Sequence, residues 1–103
     1  MKDFKDKIAV ITGGANGIGY AVEQEAIKRR MKVVIGDIDK EGLDRVEKEF
    51  KDKNANFMTV YMDVTEYDVL EMLAKKALDK YGKVDMLFNN AGVAIAWPIS
   101  ELP

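Results

Sequence analysis

The stretch Ile8-Ala9-Val10-Ile11-Thr12-Gly13-Gly14-Ala15-Asn16-Gly17-Ile18-Gly19 joins a short apolar run to a glycine-rich turn, and its reading decides the fold. The run Ile8 to Ile11 is apolar without alternation and mostly β-branched, which suits a strand buried on both faces. Each glycine after it has a mechanical use. Gly13 permits a sharp exit from the strand, Gly17 lets backbone approach a bulky anion, and Gly19 lets the next element pack closely on the sheet. Beyond the turn, Ile18, Ala21, Val22 and Ala26 recur at helical spacing up to the basic Lys28-Arg29-Arg30, which suits a helix C-terminus. A helix starting there aims its unpaired amides and positive dipole end at the loop, a geometry that holds a diphosphate. Taken alone, the glycines are equally what any tight turn needs.

The alternation continues outward from this stretch. Val33-Val34-Ile35, Phe57 to Met62 and Val84 to Phe88 are further strand candidates. Leu43, Val46 and Phe50 mark one face of a second helix, and Val69, Leu70, Leu73, Ala77 and Leu78 mark a third. Thr65 with Asp68 has the form of a capping box at the start of that third helix, and Gly82 stands where a C-cap glycine belongs. Strands alternating with helices predict an α/β fold whose parallel sheet is built by right-handed crossovers. A doubly wound arrangement gives the strand order 3-2-1-4, with the ligand crevice at the switch point between the first and fourth strands. The 103 residues contain no Pro- or Ser-rich linker, so residues 1–103 read as one domain.

Composition narrows the chemistry. Sixteen Lys and Arg against 18 Asp and Glu leave a net charge of −2, with no electrostatic footprint for nucleic acid or an anionic membrane. No cysteine and no histidine means no disulfide, thiolate nucleophile, imidazole base or usual zinc ligand, so acid–base work falls to Tyr, Lys, Asp or Glu. The run from Ile8 is too short for a signal-peptide core and no run approaches the roughly 20 residues of a membrane span. A cytoplasmic location is the expectation. Asp37-x-Asp39-x-Glu41-Gly42 imitates the opening of a calcium loop, but Lys48 stands where the bidentate acid is required, so no metal is expected.

A carboxylate gives the glycine loop its context. Asp37 ends the second strand candidate, where it can accept from both hydroxyls of an adenosine ribose and repel a 2′-phosphate. Asn16 and Ile38 add no cation for such a phosphate. Together these features favour NAD over NADP. The alternative is that Asp37 caps the second helix, a task open equally to Asp39.

The pattern Thr12-Gly13-x-x-x-Gly17-x-Gly19 resembles the cofactor loop in the N-terminal half of the classical short-chain dehydrogenases/reductases. Asn89-Asn90-Ala91-Gly92 at the end of the fourth strand is similar to the second signature of that family, and Asp63-Val64 after the third strand to another. The likeness runs from about Lys5 to the last residue. It implies a Rossmann-like, NAD(H)-binding oxidoreductase that moves hydride between NAD and an alcohol or ketone. It also implies cofactor contacts from Gly13, Asn16, Gly17, Ile18, Gly19, Asp37, Ile38, Asp63, Val64, Asn89, Ala91 and Gly92. By this resemblance Asp63 accepts from the adenine amino group while the Val64 amide meets a ring nitrogen; a helix-start role beside Thr65 is the alternative for Asp63. One of Asn89 and Asn90 would face the cofactor ribose while the other braces the first strand near Thr12, and bracing alone is the alternative. For Ile18 the backbone amide would meet the diphosphate, and its side chain is expected in the core.

The family's catalytic Tyr-x-x-x-Lys spacing is missing. Four residues beyond Tyr20, Tyr61, Tyr67 and Tyr81 stand Gln24, Thr65, Glu71 and Asp85. Ser100, the only serine, lies in a stretch that resembles the loop before the fifth helix of the family. No catalytic residue carries over, so the chain is expected to be a truncated Rossmann domain that does not turn over substrate by itself. Its apolar fourth strand then lies on an open edge, which favours self-association into a homo-oligomer such as a two-fold dimer. The competing reading is a non-catalytic nucleotide-binding or self-associating module. A methyltransferase-like or sugar-nucleotide fold is disfavoured by Asn89-Asn90-Ala91-Gly92.

Overall fold

All five residues of β1 (Ile8–Thr12) are buried, as a strand covered on both faces requires. A computed structural model describes residues 4–13, 15, 17–62 and 66–89, with 66–70 described by backbone alone. After β1 follow α1 (Gly17–Lys28), β2 (Lys32–Asp37), α2 (Lys40–Asp52), β3 (Phe57–Tyr61), α3 (Glu66–Tyr81) and β4 (Met86–Asn89). The four strands form one parallel sheet in the order β3-β2-β1-β4, which is the predicted doubly wound order. The register sets Ile11 between Ile35 and Phe88, and Thr12 between Gly36 and Asn89, so the C-terminal ends of β1, β2 and β4 lie along one edge.

Strand alternation sends successive side chains to opposite faces. Ala9, Ile11, Val33 and Ile35 pack with Ala26 of α1 and with Leu43, Val46 and Phe50 of α2. Ile8, Val10 and Val34 pack on the other face with Leu73 and Ala77 of α3. The α2 face is the one its spacing predicts: Leu43, Val46 and Phe50 are all buried, and each such side chain stabilises the fold by roughly 1.5–3 kcal/mol. Gly82 ends α3 with φ +82° and its amide donates to the Leu78 carbonyl at 2.8 Å, so the predicted C-cap glycine is in place. The Thr65–Asp68 capping box and the Val69 and Leu70 side chains lie outside the described residues.

Three expectations need correction. Ile18 is 68% exposed and Ala21 is exposed, whereas Gly19, Glu23 and Ala26 form the buried face of α1. Gly19 has no side chain and lets the helix close on the sheet, which turns its i+4 and i+7 neighbours inward and Ile18 outward. Leu78 is 49% exposed, so the buried face of α3 runs through Leu73 and Ala77 without it. β4 starts at Met86, two residues after Val84, because Asp85 takes the preceding place in the ladder: Ile8 N donates to Asp85 Oδ2 at 2.8 Å while Asp85 N donates to the Ile8 carbonyl at 2.9 Å.

Gly36 is the point where α3 meets the sheet. A Cβ there would lie 2.9 Å from Leu73 Cγ and closer still to one of its methyls, and Leu73 is fully buried. Gly36→Ala is expected to destabilise the fold by about 1–3 kcal/mol through overpacking. A lowered urea midpoint checks this; an unchanged midpoint would mean that the α3 face is loosely packed.

Candidate functional site

The C-terminal edge of the sheet is assembled from three strand ends. The chain leaves β1 at Gly13, φ +67°, whose amide donates to the Gly36 carbonyl at 2.8 Å, and α1 opens at Gly17, φ +62°. Both dihedrals lie in the left-handed region that glycine enters without strain. Asp37 closes β2 and ties the loop to it: Oδ2 accepts from Ala15 N at 2.9 Å and Oδ1 accepts from Asp39 N at 3.0 Å. The α2 cap is Asp39, which accepts from Gly42 N at 3.0 Å, so the cap alternative for Asp37 is resolved in favour of its neighbour. A Cβ on Gly42 would come 2.8 Å from Ala15 Cβ, which shows how tightly the start of α2 is pressed against the glycine loop. On the β4 side, Thr12 Oγ1 donates to Asn89 Oδ1 at 2.7 Å, so Asn89 is a brace for the first strand.

Among the residues singled out from sequence, Gly13, Gly17, Ile18, Gly19, Asp37, Ile38 and Asn89 therefore share this edge. Asn16, Asp63, Val64, Ala91 and Gly92 lie outside the described residues. The local structure fits a dinucleotide diphosphate. Among the described residues, and apart from its chain neighbours and the helix's own backbone, no heavy atom lies within 4 Å of where a Gly17 Cβ would be, and the first turn of α1 carries no acidic side chain to oppose an anion. Among the described residues, three of the five exposed large apolar side chains, Ile18, Ile38 and Tyr61, stand at the start of α1, just past β2 and at the end of β3. Tyr61 was not singled out as a site residue; its signal was its place at the end of a strand.

Glu23 was also missed. It is fully buried on α1, and among the described residues neither carboxylate oxygen has a hydrogen-bond partner. Burial first, then the charges of Asp37 and Glu49, push its carboxyl up to about 9, so it is neutral at neutral pH. The available signal was a charged residue four places after Gly19 on the packing face. Beside it, the Tyr20 hydroxyl donates to Glu49 Oε1 across the α1–α2 groove, Gln24 Nε2 donates to the Tyr20 oxygen at 3.0 Å, and Lys53 Nζ pairs with Glu49 at 2.9 Å. The Tyr20 bond first, then Lys53, holds Glu49 below the usual carboxylate range, and the same bond raises Tyr20. A cavity of about 280 Å³ lies there, lined by Ala15, Gly17, Tyr20, Arg45, Val46 and Glu49.

The family model described as short chain dehydrogenase matches residues 7–103. The chain belongs to this family. It is similar to a CLA biosynthesis dehydrogenase/reductase of Lactiplantibacillus plantarum, 42% identical over 103 residues, covering 100% of this chain and 36% of that protein. Among solved structures of the family, a short-chain dehydrogenase/reductase from Burkholderia phymatum in complex with NAD superposes with TM-score 0.81 at 39% identity, over 90% of this chain and 33% of that one. L-Sorbose reductase from Gluconobacter frateurii, complexed with NADPH and L-sorbose, superposes with TM-score 0.75 at 28% identity, over 96% of this chain and 38% of that one. The chain thus spans about a third of the length of these oxidoreductase relatives. Among the described residues, no helix is long and apolar enough to cross a membrane.

Glu23 makes the stability of the fold depend on pH. Its folded value, about 9, lies above the ordinary 4.5 of the unfolded chain, so its contribution is fully present below 4.5 and is lost as pH rises toward 9. The loss between pH 4.5 and pH 7 is expected to be roughly 3 kcal/mol. Urea unfolding across this range should show Glu23→Gln gaining stability over the parent as pH rises; parallel profiles would contradict the burial of an ionisable group.

Proposed function

We propose that this chain is the NAD(H)-binding half of an oxidoreductase acting on an alcohol or ketone. The observation that carries the reading is the position of Asp37. Bonded to the Ala15 amide, its carboxylate stands beside the open start of α1, so a ribose acceptor and a diphosphate seat lie side by side. Gly13, Asn16, Gly17 and Gly19, with the Ile18 amide, would hold the diphosphate, and Asp37 with Ile38 the adenosine ribose. Asp63 and Val64 would read the adenine edge, and Asn89, Ala91 and Gly92 would line the nicotinamide side. A bound nicotinamide supplies the hydride chemistry. The residues of this chain bind and orient it, and the Tyr-x-x-x-Lys spacing for proton transfer is lacking, so the chain binds cofactor without turnover.

NAD is preferred to NADP in this reading because Asp37 repels a 2′-phosphate and Ile38 offers it no cation. The relatives include an NAD complex and an NADPH complex, so the choice rests on these side chains. Among the described residues β4 pairs only with β1, and its other edge presents Met86, Leu87 and Phe88 backbone for pairing with a second copy. A homo-oligomer formed there, in the cytoplasm where NAD(H) is abundant, completes the proposal.

Calorimetric titration of the purified chain tests the cofactor reading. NAD should bind at least about tenfold more tightly than NADP, and Asp37→Ser should weaken NAD by about tenfold, as expected for losing hydrogen bonds to a charged acceptor. Equal binding of the two nucleotides, or an Asp37→Ser chain that still prefers NAD, would overturn it.

A further inference from the structure

A second cavity, of about 380 Å³, opens at the sheet edge opposite the crevice, bounded by the residues that lead into β1, β2 and β3 and by the C-terminal ends of α1 and α2. Its volume is in the range of small-molecule sites. The lining carries four cations, Lys28, Arg30, Lys32 and Lys53, against one carboxylate, Asp6, in a chain of net charge −2. Lys53 pairs with Glu49 at 2.9 Å and Lys32 lies over the Tyr81 ring, 5.6 Å from its centroid. Lys28 and Arg30 are exposed and, among the described residues, make no side-chain hydrogen bond or ion pair. The apolar part of the lining is Ile27, Met31 and Ala55.

The backbone shows that Arg30 is not there to close its helix. Arg30 N donates to the Ile27 carbonyl at 2.9 Å and Met31 N to the Ala26 carbonyl at 3.0 Å; α2 closes in the same way, with Asn54 N on Lys51 and Ala55 N on Phe50, both at 3.0 Å. This motif puts one residue in the left-handed region, where glycine is the usual choice. α3 ends on Gly82, φ +82°, but α1 uses Arg30, φ +63°, and α2 uses Asn54, φ +56°. Asn enters that region readily, whereas Arg does so under strain. The end carbonyls are met by backbone amides, and Lys28 in the last turn already opposes the helix dipole. A strained cation facing a cavity calls for another use.

We propose that this cavity binds a phosphate monoester, with Lys28 and Arg30 on the terminal phosphate and Ile27, Met31 and Ala55 against the organic group. The proposal does not rest on the dinucleotide reading. A terminal phosphate carries a charge of about −1.5 to −2 and three acceptor oxygens, which suit separate donors on a concave wall, and a guanidinium can hold two of those oxygens side by side. Asn56 adds a neutral donor: its Oδ1 accepts from the Tyr81 hydroxyl at 2.8 Å, leaving the amide nitrogen to donate. The diphosphate of NAD is esterified at both ends and offers no terminal phosphate.

Amide NMR titrations of the purified chain at constant ionic strength, with phenyl phosphate, inorganic phosphate and NAD, test the site. Phenyl phosphate should give saturable shifts at Arg30, Asn54 and Ala55 and bind about threefold or more tightly than inorganic phosphate, through apolar contact of its ring. NAD should leave these amides unmoved. Arg30→Gly should raise the urea midpoint, because glycine relieves the left-handed residue, and yet weaken phenyl phosphate by about three- to tenfold. Lys28→Gln should weaken it by a similar factor, whereas Lys75→Gln, which removes a charge from α3 across the sheet, should leave it unchanged. Shifts that do not saturate, inorganic phosphate binding as tightly as the ester, NAD moving the same amides, or equal weakening by Lys75→Gln overturns the proposal. So does an Arg30→Gly chain that binds as the parent does, or one less stable than the parent, since Arg30 would then serve the fold.

Discussion

The hydrogen bond from the Ala15 amide to the Asp37 carboxylate, 2.9 Å long, is the interaction on which the rest of this crevice depends. A charge-assisted bond of this kind contributes roughly 1.5–3 kcal/mol, enough to hold Ala15 against the end of β2. It joins the loop after β1 to the end of β2, while the Gly13 amide reaches the Gly36 carbonyl and Thr12 reaches Asn89 on the other side. The ends of β1, β2 and β4 are thereby locked together beside the start of α1. Gly42 completes the arrangement, since a side chain there would push α2 away from Ala15.

Much of this was legible because periodicity reports burial directly. The continuous apolar runs of β1 and β2 announced strands covered on both faces, and Leu43, Val46 and Phe50 announced the buried face of α2. The glycine spacing and Asp37 gave the crevice its location. What escaped reading has a common physical cause. Apolar counting weights side chains that are present, but Gly19 sets the α1 face by a side chain that is absent, so Ile18 turned outward and Glu23 inward. The start of β4 escaped for a related reason: the Asp85 side chain replaces a backbone ladder partner, and no hydrophobic pattern encodes that.

Glu23 places an ionisable group in the buried interior of the fold. The fold tolerates it by keeping it neutral, which sacrifices stability above the ordinary carboxylate range. Family membership explains the sheet order, the glycine loop and the shape of the crevice.

The central claim is that a dinucleotide lies across the C-terminal edge of the sheet, with its diphosphate on the α1 amides. NMR titration of the labelled chain with NAD addresses it directly. The account predicts saturable shifts for the Gly13, Ala15, Gly17 and Gly19 amides, with Arg30 and Asn54, beyond the opposite ends of α1 and α2, left unmoved. Shifts confined to that opposite end, or none at the glycine loop at saturating NAD, would contradict it.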